Sequence, residues 1–312
     1  MARYHDSCSS IREIAAAASF PEDCSRRRTV ATCAFFSSAF SAAAFSSAFS
    51  SAAFSSASDT GPACLISHPL IPGGGHWRRA TDGYGRGVLR VTRAAERYRG
   101  GDPAAGIETR HAFSFAGFYD PDNVRFGPLT ACNEERLAPG AGFPAHPHRD
   151  VEIVSWVLSG ELTHEDEDGT ATVVRPGDLQ RLTAGAGVRH VERNAGPEPL
   201  RFLQMWLIPA EPGGEPAYEV VRGIGDDVPY ALPRTPAVLR VRRLRDGERA
   251  AVGGGRLAYL HLASGAVELS GVGPPVALTA GDAARLTGGG EPVVRAAGGA
   301  ELLLWELSDR PS

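Results

Sequence analysis

Two short stretches of the chain carry the side chains best suited to chemistry. The first, FPAHPHRDVEIVSW at 143–156, sets His146 and His148 on either side of Pro147, with Glu152 four residues beyond the second histidine. The second, TAGAGVRHVERN at 183–194, sets His190 two residues before Glu192. An HxH pair on a β scaffold supplies two neutral imidazole nitrogens to one divalent ion. Side chains alternate along a strand, so His146 and His148 share a face, and an uninterrupted strand would bring Glu152 onto it. His190 and Glu192 share parity in the same way. If the second stretch runs beside the first, three imidazoles and one carboxylate can converge. Pro147 has no N–H for a ladder, which places its segment at a sheet edge or strand start. Gly185 and Gly187 allow a tight turn just ahead of the second pair.

A lone histidine on a strand is more often a packed or solvated residue than a ligand. HxH followed by HxE, in a chain with nine histidines, carries more weight. His164, in the hairpin GELTHEDEDG, reads as structural or as support for the ligands. His261 stands alone, and His111, His68, His76 and His5 have no ligand-like neighbours.

The elements that must position these residues are β-strands. From Gly87 onward, short β-rich runs are punctuated by Gly, Pro and Asp: EIVSWVL (152–158), ATVV (171–174), LRFLQMWLI (200–208), LRVRRL (239–244), RLAYLHL (256–262) and AELLLWEL (300–307). DEDGT at 166–170 is a hairpin turn by its Asp-Gly. PGD at 176–178 and AGD at 280–282 mark further turns. Long amphipathic helices are not evident, and close strand spacing predicts an all-β barrel or sandwich. The stretch 157–185 also aligns with 261–289: both read strand, SG, strand, turn, strand, GD, RLT. Two similar barrels in tandem are expected, one over 87–215 and one over 216–312, with the boundary in the Pro/Gly-rich region near 210–235.

The 312 residues and net charge of −4 exclude a strongly basic nucleic-acid or membrane-surface binder. No apolar run reaches the roughly 20 residues of a membrane-spanning helix. Of five cysteines only Cys132 lies in the β-rich part, and no CxxC pair occurs. A disulfide framework and thiolate zinc sites are therefore not expected, which fits a reducing, cytoplasmic setting. Residues 1–86 are expected to be a low-complexity, disordered extension. Residues 34–58 contain only Ala, Phe and Ser with a nine-residue repeat. SRRRTVATCAFF, from Ser25, is a poor match to a twin-arginine export signal. An early-called start is the alternative, with Val88 or Val91 read from a GUG codon.

The ligand stretches resemble a known family. Gly140, the HPH and Glu152 follow the first cupin motif, with one extra residue before its closing Gly160. Gly187, His190 and Asn194 match the end of the second. With HAFSFAGFYDPDNVRFGPL at 111–129 and VRPGDLQRLTAGAGVRHVERN, the chain over about 88–308 resembles the pirin-like bicupins. The resemblance implies two cupin (double-stranded β-helix) barrels with a metal in the first only. It implies His146, His148, His190 and Glu192 as ligands, because HVE matches the pirin signature. The general cupin pattern would instead take its carboxylate from Glu152, which otherwise becomes a supporting or proton-handling group. The second repeat lacks the ligands, with a single His261 where HxH would fall; it is expected to hold no metal and to pack against the first barrel.

Three imidazoles and a carboxylate suit Fe(II), Mn, Co, Ni, Cu or Zn, and the resemblance favours Fe(II). Several family members imply a quercetin 2,3-dioxygenase acting on a small aromatic substrate and dioxygen. There Glu192 or Glu152 takes the flavonol's 3-hydroxyl proton, the heterocyclic ring opens and carbon monoxide leaves. Phe143, Trp156, Phe202 and Trp206 are candidate pocket walls, or ordinary core. The alternative is a non-enzymatic, redox-sensitive metal protein that regulates a transcription or metabolic partner.

Overall fold

The computed structural model describes residues 87–308 other than Gly254 and Gly289, so the expectations for 1–86 lie outside the described residues. The described residues form twenty-one strands and three single-turn 3-10 helices, with no α-helix among them. None of their helices is long and apolar enough to cross a membrane. The β-branched and aromatic runs become strands as their composition favours: ATVV is Ala171–Val174 and AELLLWEL is Ala300–Leu307. DEDGT closes a hairpin, the Gly169 N–H donating to the Asp166 carbonyl at 3.0 Å.

The strands form two barrels, each a large sheet facing a four-stranded one. In the first, the large sheet runs through Tyr98–Asp102, Ile107–His111, Leu129–Leu137, Leu200–Leu207, Glu152–Ser159, Leu179–Thr183 and Ala217–Val221. Its small sheet is ordered Gly142–His148, Val188–Arg193, Leu162–Asp166, Ala171–Val174. The second barrel repeats the small sheet as Arg249–Ala251, Val293–Ala296, Ala266–Ser270, Val276–Thr279. The two GD turns are built alike. Asp178 accepts the Arg175 N–H at 3.2 Å and Asp282 the Thr279 N–H at 3.0 Å. Gly177 and Gly281 precede them at φ 91° and 87°, a conformation that favours glycine.

At two edges the strand pairing crosses the expected division at 215/216. Val88–Thr92, at the start of the first stretch, pairs with Ala283–Thr287 in the second barrel. Ala217–Val221, beyond the boundary, pairs with Leu179–Thr183 in the first. Each barrel thus borrows an edge strand from the other's stretch of chain, because an unpaired sheet edge leaves backbone groups without partners.

Alternation sorts the side chains of the large sheets. Val154, Trp156, Leu203 and Met205 from the first barrel pack with Leu239, Val241, Tyr259 and Trp305 from the second. The opposite face of the first large sheet points into its own barrel. There Val157, Leu200 and Phe202 join Leu162, Val174 and Leu137. That cluster fills one part of the barrel; other inward positions are polar, and there the candidate ligands gather.

Candidate metal centre

Gly142–His148 and Val188–Arg193 are antiparallel neighbours, with His190 opposite His146 and Val188 opposite His148. The register slips between His190 and Glu192, so that Glu192 lies opposite Phe143. The extra length falls on the first strand around Pro144 and Ala145, and Pro144 has no N–H to lose at such a bulge. The three rings meet: centroids are 4.6 Å apart for His146 and His190, 4.7 Å for His146 and His148, and 5.0 Å for His148 and His190. One donor atom from each lies within 4.8 Å of the others, and His164, His190 and Glu192 satisfy the same limit as a second, overlapping set.

The donors are available. Burial, reinforced by the neighbouring histidines, pushes the His148 and His190 imidazoles down to about 3, so both are neutral at physiological pH. The His146 Nδ1 lies 2.8 Å from the Pro144 carbonyl. A carbonyl only accepts, so Nδ1 carries the proton and Nε2 keeps its lone pair. The Nε2 of His190 is buried with no hydrogen-bond partner, an arrangement that is costly unless something else binds the atom. Three imidazoles, two of them held neutral and one of these with an orphaned buried nitrogen, and a carboxylate beside them fit a divalent transition metal.

Glu192 is held from both sides. Its Oε1 accepts from Gln180 Nε2 at 2.9 Å and its Oε2 from Gln204 Nε2 at 2.7 Å. The glutamine amides are oriented in turn: Tyr218 OH donates to Gln180 Oε1 at 3.1 Å and Trp206 Nε1 to Gln204 Oε1 at 3.0 Å. Each amide can then only present N–H to the carboxylate.

Glu152 does not join this group. Residues 149–151 interrupt the strand, with Asp150 at φ 53°, so the parity that linked Glu152 to the histidines does not carry across. Glu152 shares its face with Val154 and Trp156, outside the first barrel. It accepts from Thr183 Oγ1 at 3.1 Å and lies 3.9 Å from Arg181. Burial pushes its carboxyl upward against both of those contacts. Ser155, one strand position from Val154, faces inward instead and lies 3.4 Å from Gln180 Nε2.

Of the four aromatic candidates, two stand at the histidines. The Trp206 ring meets His148 edge-on at 5.0 Å and Phe143 meets His146 at 6.3 Å. Trp156 belongs to the core between the barrels, its Nε1 donating to Glu301 at 2.9 Å, and Phe202 to the apolar part of the first barrel. A surface depression of about 380 Å³ opens beside His148, lined by Pro147, Arg149, Glu167, Gly187, Val188 and Arg189.

Several residues around the centre carried no motif signal: Gln180, Gln204, Tyr218 and Glu135. Glu135 is buried, accepts from Thr109 Oγ1 at 2.5 Å, and is pushed up to about 8 by burial, with nearby Glu192 adding to the shift. The second barrel shows why the glutamines matter. At the positions corresponding to His164, Gln180 and Gln204 it has Leu269, Ala284 and Leu304, all in its continuous apolar core. His261, the histidine of that repeat, lies between the barrels, 2.8 Å from Arg97 Nη2.

Comparison with known proteins agrees with this architecture. The Pirin family profile matches residues 90–207. A Mycobacterium tuberculosis protein provisionally named quercetin 2,3-dioxygenase is 36% identical over 237 residues, covering 70% of this chain and 95% of that protein. A pirin-like protein of Caulobacter vibrioides is 37% identical over 190 residues, covering 55% of this chain and 82% of its own. The crystal structure of the Escherichia coli pirin YhhW in complex with nickel(II) superposes with a TM-score of 0.64 at 28% identity, covering 70% of this chain and 99% of that one. On its barrels and on this close relationship to proteins of that kind, the chain belongs to the pirin family.

Proposed function

We propose that this protein is a metal-dependent dioxygenase that opens a flavonol such as quercetin, with the ion held by His146, His148, His190 and Glu192. The observation that carries the reading is the meeting of His146, His148 and His190, with Glu192 grouped beside His190 and the Nε2 of His190 buried and unpartnered among the described residues. Relatives named as quercetin 2,3-dioxygenases, including one of Escherichia coli that is 40% identical over 112 residues, 36% of this chain and 48% of that protein, supply the substrate class. A bound divalent ion, Fe(II) by the family resemblance, supplies Lewis acidity and a meeting place for substrate and dioxygen.

The protein's own part is positioning and proton handling. Glu192 accepts one amide N–H on each oxygen, which leaves lone pairs for the ion and for the proton of the substrate's 3-hydroxyl. Gln180 and Gln204 keep the carboxylate in place while that proton arrives. Trp206 and Phe143 offer apolar faces beside the histidines to an aromatic ring system. Glu152, on the outer face of the barrel, takes no part in the proton transfer.

The test is oxygen uptake, loss of quercetin absorbance and carbon monoxide release with protein loaded in turn with Fe(II), Mn, Ni and Cu. Matched consumption and release supports the assignment. No turnover with any of the four ions overturns it.

A further inference from the structure

Around His190 a line of hydrogen bonds fixes where one proton sits. Asp166 Oδ1 lies 2.8 Å from His164 Nε2, and His164 Nδ1 lies 3.1 Å from His190 Nδ1. An ionised carboxylate only accepts, so Nε2 of His164 carries that ring's proton. With that single proton on Nε2, His164 Nδ1 is bare and can only accept. The proton between the two rings then belongs to His190 Nδ1. That leaves His190 Nε2 as a lone pair, and among the described residues this buried atom has no hydrogen-bond partner.

His164 is well placed to hold this setting. It is fully buried, and its ring stacks on Tyr218 at 4.2 Å with planes 15° apart, which fixes its rotation. It lies on Leu162–Asp166, paired directly with Val188–Arg193, so its distance to His190 is set by the sheet. The second barrel, which has Leu269 at this position, has no such line.

We propose that His164 and Asp166 are positioning residues that lock His190 in its Nδ1–H tautomer, holding Nε2 ready for a metal ion. The inference rests on the reading of His190 as a ligand, and it concerns metal capture rather than the chemistry that follows. Neutral histidine exchanges between two tautomers, and a ligand free to do so spends part of its time with the wrong nitrogen protonated. Loss of a group that orients a metal-binding histidine typically weakens metal affinity by about 10- to 100-fold.

The full-length chain is compared as wild type, His164→Phe and His164→Asn. Phenylalanine keeps a flat ring against Tyr218 and removes the acceptor. Asparagine restores a carbonyl acceptor near the place of Nδ1. Two quantities are read: the tautomer of His190 by long-range 1H–15N NMR of the metal-free chain, and nickel(II) affinity by competition with a chelator. The expectation is a proton on His190 Nδ1 in the wild type, a loss of about 10- to 100-fold in nickel affinity for His164→Phe, and recovery in His164→Asn. A wild-type His190 protonated on Nε2 overturns the proposal, as does wild-type affinity in His164→Phe or equal weakness of the two variants. Should His164→Phe not fold, the wild-type tautomer and the His164→Asn affinity still decide. Neither readout involves quercetin or dioxygen, so a failure of the dioxygenase reading leaves this test untouched, and the reverse.

Discussion

Replacing each of the two candidate carboxylates by its amide separates their roles. Glu192→Gln keeps size and shape but leaves only one accepting end. The new NH2 group must face the amide of either Gln180 or Gln204, now 2.9 and 2.7 Å from the carboxylate oxygens. One charge-assisted bond is lost, about 1.5–3 kcal/mol. The anionic donor to a divalent ion is lost as well, a term of at least comparable size in a buried site. The hydrogen-bond loss falls on the metal-free and metal-bound protein alike and lowers stability; the lost anion alone, at about 1.5–3 kcal/mol, corresponds to about 10- to 100-fold weaker metal binding. Glu152→Gln has a different cost. The bond from Thr183 survives, and Arg181 keeps Glu219 at 3.2 Å, so the loss is on the order of 1 kcal/mol of stability and none of metal affinity. Isothermal titration with nickel(II), alongside thermal denaturation of each metal-free variant, measures both. If Glu152→Gln loses nickel affinity as Glu192→Gln does, the assignment of Glu192 to the barrel interior and Glu152 to the outer face of the large sheet is wrong.

Other expectations concern pH and metal content. Glu135, pushed up to about 8, holds a proton when folded that it releases when unfolded; metal-free stability therefore falls as pH rises from about 4.5 towards 8, by up to about 1.4 kcal/mol per unit. Denaturant midpoints measured across that range should lose this slope in Glu135→Gln, and an unchanged slope refutes the origin. His148 and His190, pushed down to about 3, bind more protons unfolded than folded; stability is full above about 6.5 and is lost as pH falls towards 3. A His148→Asn, His190→Asn double variant should show a shallower acid limb in the same titration. Nickel(II) at about 100 times its Kd should add about 2.7 kcal/mol, raising the melting temperature by roughly 5–10 °C for a folded region of this size. A chelator should reverse the shift.

Much of this site was readable before the fold was known, because metal ligands are confined to a few residue types and strand periodicity says which of them share a face. HxH and HxE marked the four candidate donors, and the Asp-Gly turn and repeated GD turns pointed to the tandem β architecture. Parity failed where the strand failed. With 149–151 breaking the run at Asp150, Glu152 begins a new strand on a different sheet, and counting by twos across the gap put it on the wrong side. Trp156, open between pocket wall and core in the sequence, lies in the core between the barrels. Gln180 and Gln204 could not be singled out, since a glutamine in a strand looks the same whether it meets solvent or a buried carboxylate. Only the sheet registers, and the apolar residues at the matching positions of the second barrel, give them meaning. The exchanged edge strands were equally hidden, because neither Val88–Thr92, nearly 200 residues from its partner, nor Ala217–Val221, some 34–42 residues from its own, carries a local pattern that names the pairing.

That exchange has a consequence for what counts as the smallest working unit. Tyr218 lies on Ala217–Val221, the strand that crosses into the first barrel, and it both stacks on His164 and donates to Gln180. A cut at the apparent boundary would keep all four candidate ligands and still strip away the strand that steadies two of the groups around them. It would also expose the edge of Leu179–Thr183, the strand that carries Gln180. Metal binding at the proposed centre would thus depend on the half of the chain that holds none of the candidate ligands. A lesion in the second barrel that frees the exchanged strand should reach the ion without touching a single residue that binds it.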